Sequence, residues 1–388
     1  MSEQVDIIIV GGGPVGATLA LALKDSGLKV CLLEARSEVG RSGDPRALAL
    51  SYGSMLLLRR LGVWQRLAVQ TPIETIHVSQ RGGFGRAVLQ AKDENLPAFG
   101  WVVDYTALDA ALHDVLRENG SVRYLTDATV KSVSANAEAA SADYEQDGAT
   151  QQLAAKLLVL ADGGHSLAES LGISRKIREY GQNALVANVT MDLPHHNTAY
   201  ERFTPEGPMA LLPTADGYAL VWTTSPEKAQ SLCELDDTSF LAKLYEHFGA
   251  RAGHFTAVGR RAHFPLALRY TRPAIANRVA LVGNAAQTLH PVAGQGFNLG
   301  LRDAWEFAAE ILHTPSSEIG CKAMLERYRA SRRLDSGATM LASDLLVRGF
   351  SNHLPLLSSA RGLLLTAMDV LPPVKSAFAR RMIFGARG

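Results

Sequence analysis

Val5-Asp6-Ile7-Ile8-Ile9-Val10-Gly11-Gly12-Gly13-Pro14-Val15-Gly16 is the stretch that decides the fold. Its first six residues are a short, mostly β-branched run, as in a parallel strand buried on both faces. Three glycines break the run. Ala17, Leu19, Ala20, Leu21 and Leu23 continue as a helical stretch that Gly27 ends. Lys29-Val30-Cys31-Leu32-Leu33-Glu34 reads as a second strand. A strand, a glycine turn, a helix and a strand in this order form a dinucleotide-binding unit.

Each glycine in Gly11-x-Gly13-x-x-Gly16 has a separate task. Gly11 allows the tight turn, Gly13 lets a pyrophosphate approach the backbone, and Gly16 permits close helix–strand packing. Pro14 and Val15 open the helix, whose free N–H groups and positive dipole end face the phosphates. Glu34 ends the second strand, where a carboxylate can accept both ribose hydroxyls, with Ala35 and Arg36 beside it. An acid there would repel a 2′-phosphate, which argues against NADP as the nucleotide held. NAD and FAD both remain open at this point.

Composition narrows the classes further. At 388 residues the chain has room for two to three domains of ~150 residues. Lys plus Arg is 39 and Asp plus Glu 38, so the net charge is +1 and no bulk field collects nucleic acid. Cys31, Cys233 and Cys321 lie far apart with no CxxC pair, which argues against a disulfide framework or zinc knuckle and for a reducing cytoplasm. No apolar run of ~18 residues predicts a spanning helix, and the N-terminus carries no signal-peptide pattern.

Helix signals return from Asp44 to Leu61. Ile76–Val78 and Ala87–Leu89 read as strands around Gly82-Gly83, and Trp101–Val103 as another. Leu108, Leu112 and Leu116 repeat at helical spacing. Val122–Leu125, Val130–Val133 and Leu153–Leu160 continue a sheet, Ala184–Val189 and Ala219–Thr223 begin a strand-rich stretch, and Val279–Val282 is one more buried strand. After Gly296 the pattern is helical to the end, broken at Pro372-Pro373.

Two later motifs choose between NAD and FAD. Leu157-Leu158-Val159-Leu160-Ala161-Asp162-Gly163-Gly164-His165-Ser166 resembles the Asp-Gly segment of flavin-dependent aromatic hydroxylases, and the run from Val279 to Gly300 resembles their third motif. Asp44-Pro45-Arg46-Ala47-Leu48-Ala49-Leu50, Gly100-Trp101-Val102-Val103 and Glu201-Arg202-Phe203-Thr204 are similar to the ubiquinone-biosynthesis branch, and in particular to hydroxylases of 2-polyprenyl-6-methoxyphenols. The resemblance implies an α/β architecture of the p-hydroxybenzoate hydroxylase kind. A Rossmann-like FAD-binding domain is discontinuous over 1–75, 100–180 and 270–340. A β-sheet substrate domain is inserted as 76–99 and 181–269, and 341–388 is a helical C-terminal segment.

The same resemblance implies a reaction and a site. FAD, reduced by NADPH or NADH as a transient reductant, reacts with dioxygen as co-substrate, and a flavin hydroperoxide passes one oxygen to a prenylated phenol. No metal is needed. Gly11, Gly13, Pro14, Val15, Gly16, Glu34, Ala35, Arg36, Arg46, Asp162, Gly163, Asn284, Pro291, Gly294, Gly296, Phe297 and Asn298 are the implied cofactor contacts. Asn284 and Gln287 stand where the general family has Asp and His, a substitution that resembles the methoxyphenol branch. Glu169 and Tyr105 stand where the family often has Arg. Arg46 and His290 are the catalytic candidates, the first beside the flavin and the second to assist phenol deprotonation. Phe203, Leu211, Leu212, Pro213 and Trp222 are expected to line an apolar substrate wall.

The tail carries Leu356, Leu357, Leu363, Leu364, Leu365, Met368 and Leu371, then Lys375, Arg380, Arg381 and Arg387 without an acid after Asp369. A basic, apolar tail suits the inner face of a membrane, a partner in a ubiquinone-biosynthesis complex, a homo-oligomer contact, or a cover over the domain itself. Three readings stay open: a ubiquinone hydroxylase at this or another ring carbon, a halogenase or prenyl reductase on the same fold, and a non-catalytic flavoprotein subunit.

Overall fold

The protein is described here by a computed structural model covering residues 3–37, 46–164, 166–290, 294–350 and 355–385. The opening run forms the strand Glu3–Val10, which pairs in parallel with Val30–Leu33 on one side and Ala149–Leu160 on the other. Ile7, Ile8 and Ile9 are fully buried, as a strand covered on both faces requires. Val279–Leu281 and Arg123–Leu125 extend the parallel order outward, and the hairpin of Thr129–Ala135 and Ala140–Gln146 and the edge strand Ile275–Ala276 add antiparallel strands, to make an eight-stranded sheet.

The helices are α1 (Pro14–Ala22), α2 (Tyr52–Arg60), α3 (Tyr105–Asn119), α4 (Pro226–Glu234), α5 (Asp237–Phe248), α6 (Gln295–His313), α7 (Lys322–Phe350), α8 (Pro355–Val370) and α9 (Pro372–Phe384). α1, α3 and α6 cover one face of the eight-stranded sheet, with Leu19, Leu112 and Phe307 in a common core. α1 starts with Pro14 at its first turn, where a missing N–H costs nothing. α3 is bounded by Asp104, which accepts from the Ala107 N–H at 2.9 Å, and by Gly120 in the left-handed region.

A nine-stranded sheet is built from Thr75–Gln80, Arg86–Gln90 and the strands between Arg175 and Thr271, and is closed at one edge by Gln287–Thr288. α4 and α5 cover its outer face through Leu232, Phe240, Leu244 and Phe248. A small third sheet of Ala47–Ser51, Gly100–Asp104 and Thr71–Ile73 lies where the two large sheets meet.

Two expectations are corrected. Ala47–Ser51 is a strand paired with Gly100–Asp104, not part of a helix from Asp44. Its Leu and Ala residues suit either state, and the pairing partner decides; Ser51 then caps α2 by accepting from the Ser54 N–H. The C-terminal region is also not helical throughout, because α6 ends at His313 and α7 begins at Lys322. Asp44, Pro45, Pro291, His165, Arg387 and the side chains of Ser166, Leu356 and Leu357 lie outside the described residues.

Candidate functional site

The glycine turn separates what the fold needs from what a ligand needs. A side chain at Gly11, where φ is +99°, would strike the backbone of Ala161 and Asp162 at 2.7–2.8 Å. One at Gly16 would strike the Gly11 carbonyl oxygen. At Gly13, by contrast, a Cβ would meet no protein atom within 4 Å, although the residue borders a large cavity. The first two glycines are thus required by packing, while the space over Gly13 is left for a ligand. The first-turn N–H groups of α1 have no intrahelical acceptor and open toward that space.

Glu34 closes the far side of this turn. Its Oε2 accepts from the Gly12 N–H at 2.7 Å, and its Oε1 accepts from the Arg36 N–H at 2.9 Å and Arg36 Nε at 2.8 Å. A carboxylate offers about four acceptor sites. A fourth, longer bond comes from Arg36 Nη2 to Oε2 at 3.4 Å, so all four are taken rather than left open for the expected two ribose hydroxyls. Arg36 continues to the fully buried Asp109 at 3.0 Å. Burial pushes the Asp109 carboxyl up, but hydrogen bonds from His113 and Arg36 outweigh it and hold the group below its ordinary value. Asp109 lies on α3, far from the glycine motif in sequence, and no local signal marked it.

The second and third motifs meet through a residue that sequence reasoning missed. Arg175 donates to the Gly164 carbonyl at 2.6 Å and to the Asn284 carbonyl at 2.7 Å, tying the Asp-Gly turn to the Gly283–Ala285 turn. Asp162 accepts from the Gly164 N–H at 3.1 Å and borders the cavity, as do Gly163 and Asn284. A Cβ at Gly163 would again meet nothing within 4 Å. Behind them the buried Asp303 accepts from the Gly283 N–H at 3.3 Å and from Gln287 Nε2 at 3.2 Å, and pairs with Arg332 of α7. Gln287 therefore orders the turn from behind.

The head of α6 faces the cavity through Gly294, Gln295, Gly296 and Phe297. Gly294 holds φ at +62°, and a Cβ there would approach the Ala49 Cβ at 3.3 Å. The Asn298 side chain does not reach toward a ligand. It accepts from the Ser51 N–H and Ser54 Oγ and donates to the Ala49 and Gly294 carbonyls. All of its capacity is used in clamping α6 to the strand Ala47–Ser51.

The cavity encloses about 1510 Å³ and extends from Gly11, Glu34 and Ala35 across the nine-stranded sheet to α8 and α9. Phe203 and Leu212 line it. Leu211, Pro213 and Trp222 do not. Strand side chains alternate between faces, so Leu211 and Pro213 point the opposite way from Leu212. Trp222 is 1% exposed and packs beneath α5, its ring 4.8 Å from His247. Aromatic and aliphatic types suit both faces of this sheet, and only register separates them.

Arg46 stands on the cavity rim, its guanidinium 5.2 Å from the ring centre of Tyr105. Tyr105 thus provides a flat support for Arg46. His290 is corrected as a catalytic candidate. It is 1% exposed, sits edge-on to Tyr180 at 5.2 Å and is absent from the cavity wall. Burial lowers its pKa to about 4, which keeps it neutral. Glu201, by contrast, faces the cavity, and loss of water there pushes its carboxyl up to about 8.

The spaces above Gly13 and Gly163, the starts of α1 and α6 and the carboxylate rim fit a flavin dinucleotide lying between the three motifs. Comparison with known proteins agrees. Residues 4–342 match the FAD binding domain family. Ubiquinone hydroxylase UbiL from Rhodospirillum rubrum is 34% identical over 97% of this chain and 89% of its own. The 3-demethoxyubiquinol 3-hydroxylase of Escherichia coli is 31% identical over 95% of each chain. The p-nitrophenol 4-monooxygenase PnpA from Pseudomonas putida superposes with a TM-score of 0.79 at 19% identity, covering both chains completely, so the two share the fold. The chain belongs to the FAD binding domain family, among its FAD-dependent monooxygenases.

Proposed function

We propose that this monooxygenase hydroxylates the ring of a polyprenylated methoxyphenol in ubiquinone biosynthesis. The cavity carries the reading. Its volume of about 1510 Å³ takes in the nucleotide cleft as well as the substrate space, and the part beyond the cleft is what bears on the substrate. Beyond the nucleotide end its wall is formed by Ile76, Val78, Leu89, Phe203, Leu364 and Leu365, which suits a long hydrocarbon tail. The names of the two relatives, a ubiquinone hydroxylase and a 3-demethoxyubiquinol 3-hydroxylase, support a ring substrate of ubiquinone biosynthesis.

In this reading Gly13, Val15, Glu34 and Arg36 hold the dinucleotide, and Asp162, Gly163 and Asn284 follow its linker. The head of α6 meets the flavin ring, where its N–H groups stabilise negative charge by several tenths to ~2 kcal/mol. When bound, FAD supplies the redox chemistry, taking electrons from NADPH or NADH and activating dioxygen. The chain excludes water with the apolar wall and fixes the distance between ring carbon and flavin. Arg46 offers a fixed positive charge at the rim where the reductant approaches.

The tail end lies beside an apolar edge. Leu363, Leu364 and Val370 on α8, Val374 on α9 and Leu371 between them are exposed, and Leu364 and Val374 also border the cavity. No helix among the described residues is long and apolar enough to cross a membrane. Docking of this edge on a membrane surface would let a prenylated substrate enter without crossing water.

Mass spectrometry of quinone extracts from cells lacking the protein tests the reading. It predicts accumulation of a 2-polyprenyl-6-methoxyphenol, which implies hydroxylation para to the phenol oxygen. Another accumulating prenylphenol would move the ring carbon, and normal ubiquinone with no intermediate would overturn the assignment.

A further inference from the structure

Glu201 belongs to none of the cofactor motifs and has no partner among the described residues. It lies on the strand Thr198–Thr204 and faces the cavity together with Ala199 and Phe203. Its strand neighbours are Val78 on one side and Ala210 on the other, both apolar cavity residues. No hydrogen bond or ion pair to its carboxyl occurs among the described residues, and burial alone perturbs it. The part of its surface that remains open borders the cavity.

Such a group is unusual. The residue is half-buried and opens on the cavity, and a carboxylate among apolar side chains without donors is costly to keep ionised. Its position gives a reason for keeping it. Ala199 clusters with Ala47, Ala49 and Leu212, and Ala49 abuts Gly294 at the head of α6. Phe203 clusters with Leu365, Ala379 and Ile383 of α8 and α9. Residues two apart on a strand are about 6.6–6.8 Å apart. Glu201 therefore stands one step from the flavin end and one step from the tail end, where the polar head of a tailed ring would rest.

We infer that Glu201 is a catalytic residue that receives the phenolic hydroxyl of the substrate and takes its proton. The inference rests on the prenylphenol reading above. In the step, the phenol O–H bond breaks and a carboxyl O–H bond forms. The electron pair stays on the phenol oxygen and enriches the ring carbon that is attacked. The proton leaves to water when product departs. An ordinary glutamate is a weak base toward a phenol of pKa ~10, whereas a carboxyl raised to about 8 sits nearer the optimum for proton transfer.

The test uses FAD-loaded protein and synthetic 2-prenyl-6-methoxyphenol. The dissociation constant is read from flavin fluorescence, without turnover, from about pH 6 to about pH 9, on either side of the carboxyl's value of about 8. In the wild type, affinity rises about tenfold as the carboxylate forms, because a charge-assisted hydrogen bond replaces a neutral one. In Glu201→Gln the profile is flat and binding at the acid end is unchanged, while kcat falls about 10²–10⁴-fold. Glu201→Asp keeps a carboxyl and restores the pH-dependent limb of binding. Retained FAD and an undiminished melting temperature show that each variant is folded. If wild type binds and hydroxylates the phenol but Glu201→Gln keeps its pH profile and rate, the inference fails alone. If wild type does not bind the phenol, the substrate reading fails and the inference with it.

Discussion

Glu34 and Glu201 border the same cavity, one at its nucleotide end and the other midway along its wall, and their surroundings differ completely. Glu34 accepts from the Gly12 N–H, the Arg36 N–H, Arg36 Nε and Arg36 Nη2, whereas Glu201 accepts from nothing among the described residues. The nucleotide end is finished before any ligand arrives. The substrate end is left one hydrogen bond short. The difference suits a cofactor that stays and a substrate that comes and goes, since a preformed acceptor shell holds and an unmet acceptor waits for a donor.

The largest expected effect comes from breaking the finished end. Glu34→Ala leaves the Gly12 N–H without its acceptor and takes from Arg36 one of its two carboxylates, while Asp109 keeps Arg36; with charge-assisted hydrogen bonds at ~1.5–3 kcal/mol each, the cost is about 3–5 kcal/mol. Urea unfolding of the apoprotein should show this loss, and the variant should purify without flavin. A stable, yellow Glu34→Ala protein would remove the contrast.

Register within the nine-stranded sheet gives the next pair. Trp222→Ala should destabilise the fold by about 3–5 kcal/mol with unchanged prenylphenol affinity, because Trp222 packs under α5. Leu212→Trp should do the reverse, filling the cavity and weakening binding with little change in stability. Thermal melts and phenol titrations of both variants separate the two faces. At the glycine turn, Gly13→Ala should lower FAD affinity at least about tenfold while melting like the wild-type apoprotein, since the protein itself leaves room for the added carbon.

The pH dependence of stability distinguishes paired from unpaired carboxyls. Glu201 has a raised pKa, so its contribution is full below its ordinary value and is lost as pH rises toward about 8. Glu201→Gln should therefore become more stable than wild type as pH rises, and match it in acid. Asp109 has a lowered pKa, so its contribution is present above its ordinary value and is lost as pH falls. Asp109→Asn should be less stable than wild type at neutral pH and converge with it in acid. Parallel melting curves for the two variants would contradict the account. The smallest effect is at the surface. Leu363→Ser with Val370→Ser and Leu371→Ser should reduce liposome flotation roughly tenfold without altering turnover of a detergent-dispersed substrate.

How far each region could be read from sequence follows the same division. Gly11 to Glu34 is legible because one short segment carries strand, turn, helix and acid in order, and its physics is local. The Asp-Gly and Gly283–Gly300 segments are legible through resemblance. Arg175 and Asp303 are not, because each acts by joining segments distant in sequence. The substrate wall was half legible. Phe203 and Leu212 face the cavity, but Leu211, Pro213 and Trp222 were misplaced because the sheet is apolar on both faces and hydrophobic type does not reveal direction. Asn298 lay in the right motif with another task, and His290 beside it is packed rather than presented. Glu201 was visible in the Glu201-Arg202-Phe203-Thr204 segment, but what distinguishes it is the lack of a partner, which only folding reveals.

The central claim is most directly tested by incubating the FAD-loaded protein with NADPH, 2-prenyl-6-methoxyphenol and isotope-labelled dioxygen, and reading the mass of the phenolic product. The account predicts a hydroxylated ring carrying one labelled oxygen, formed in step with reductant consumed. Reductant consumption that yields only hydrogen peroxide, with the phenol returned unchanged, would contradict it.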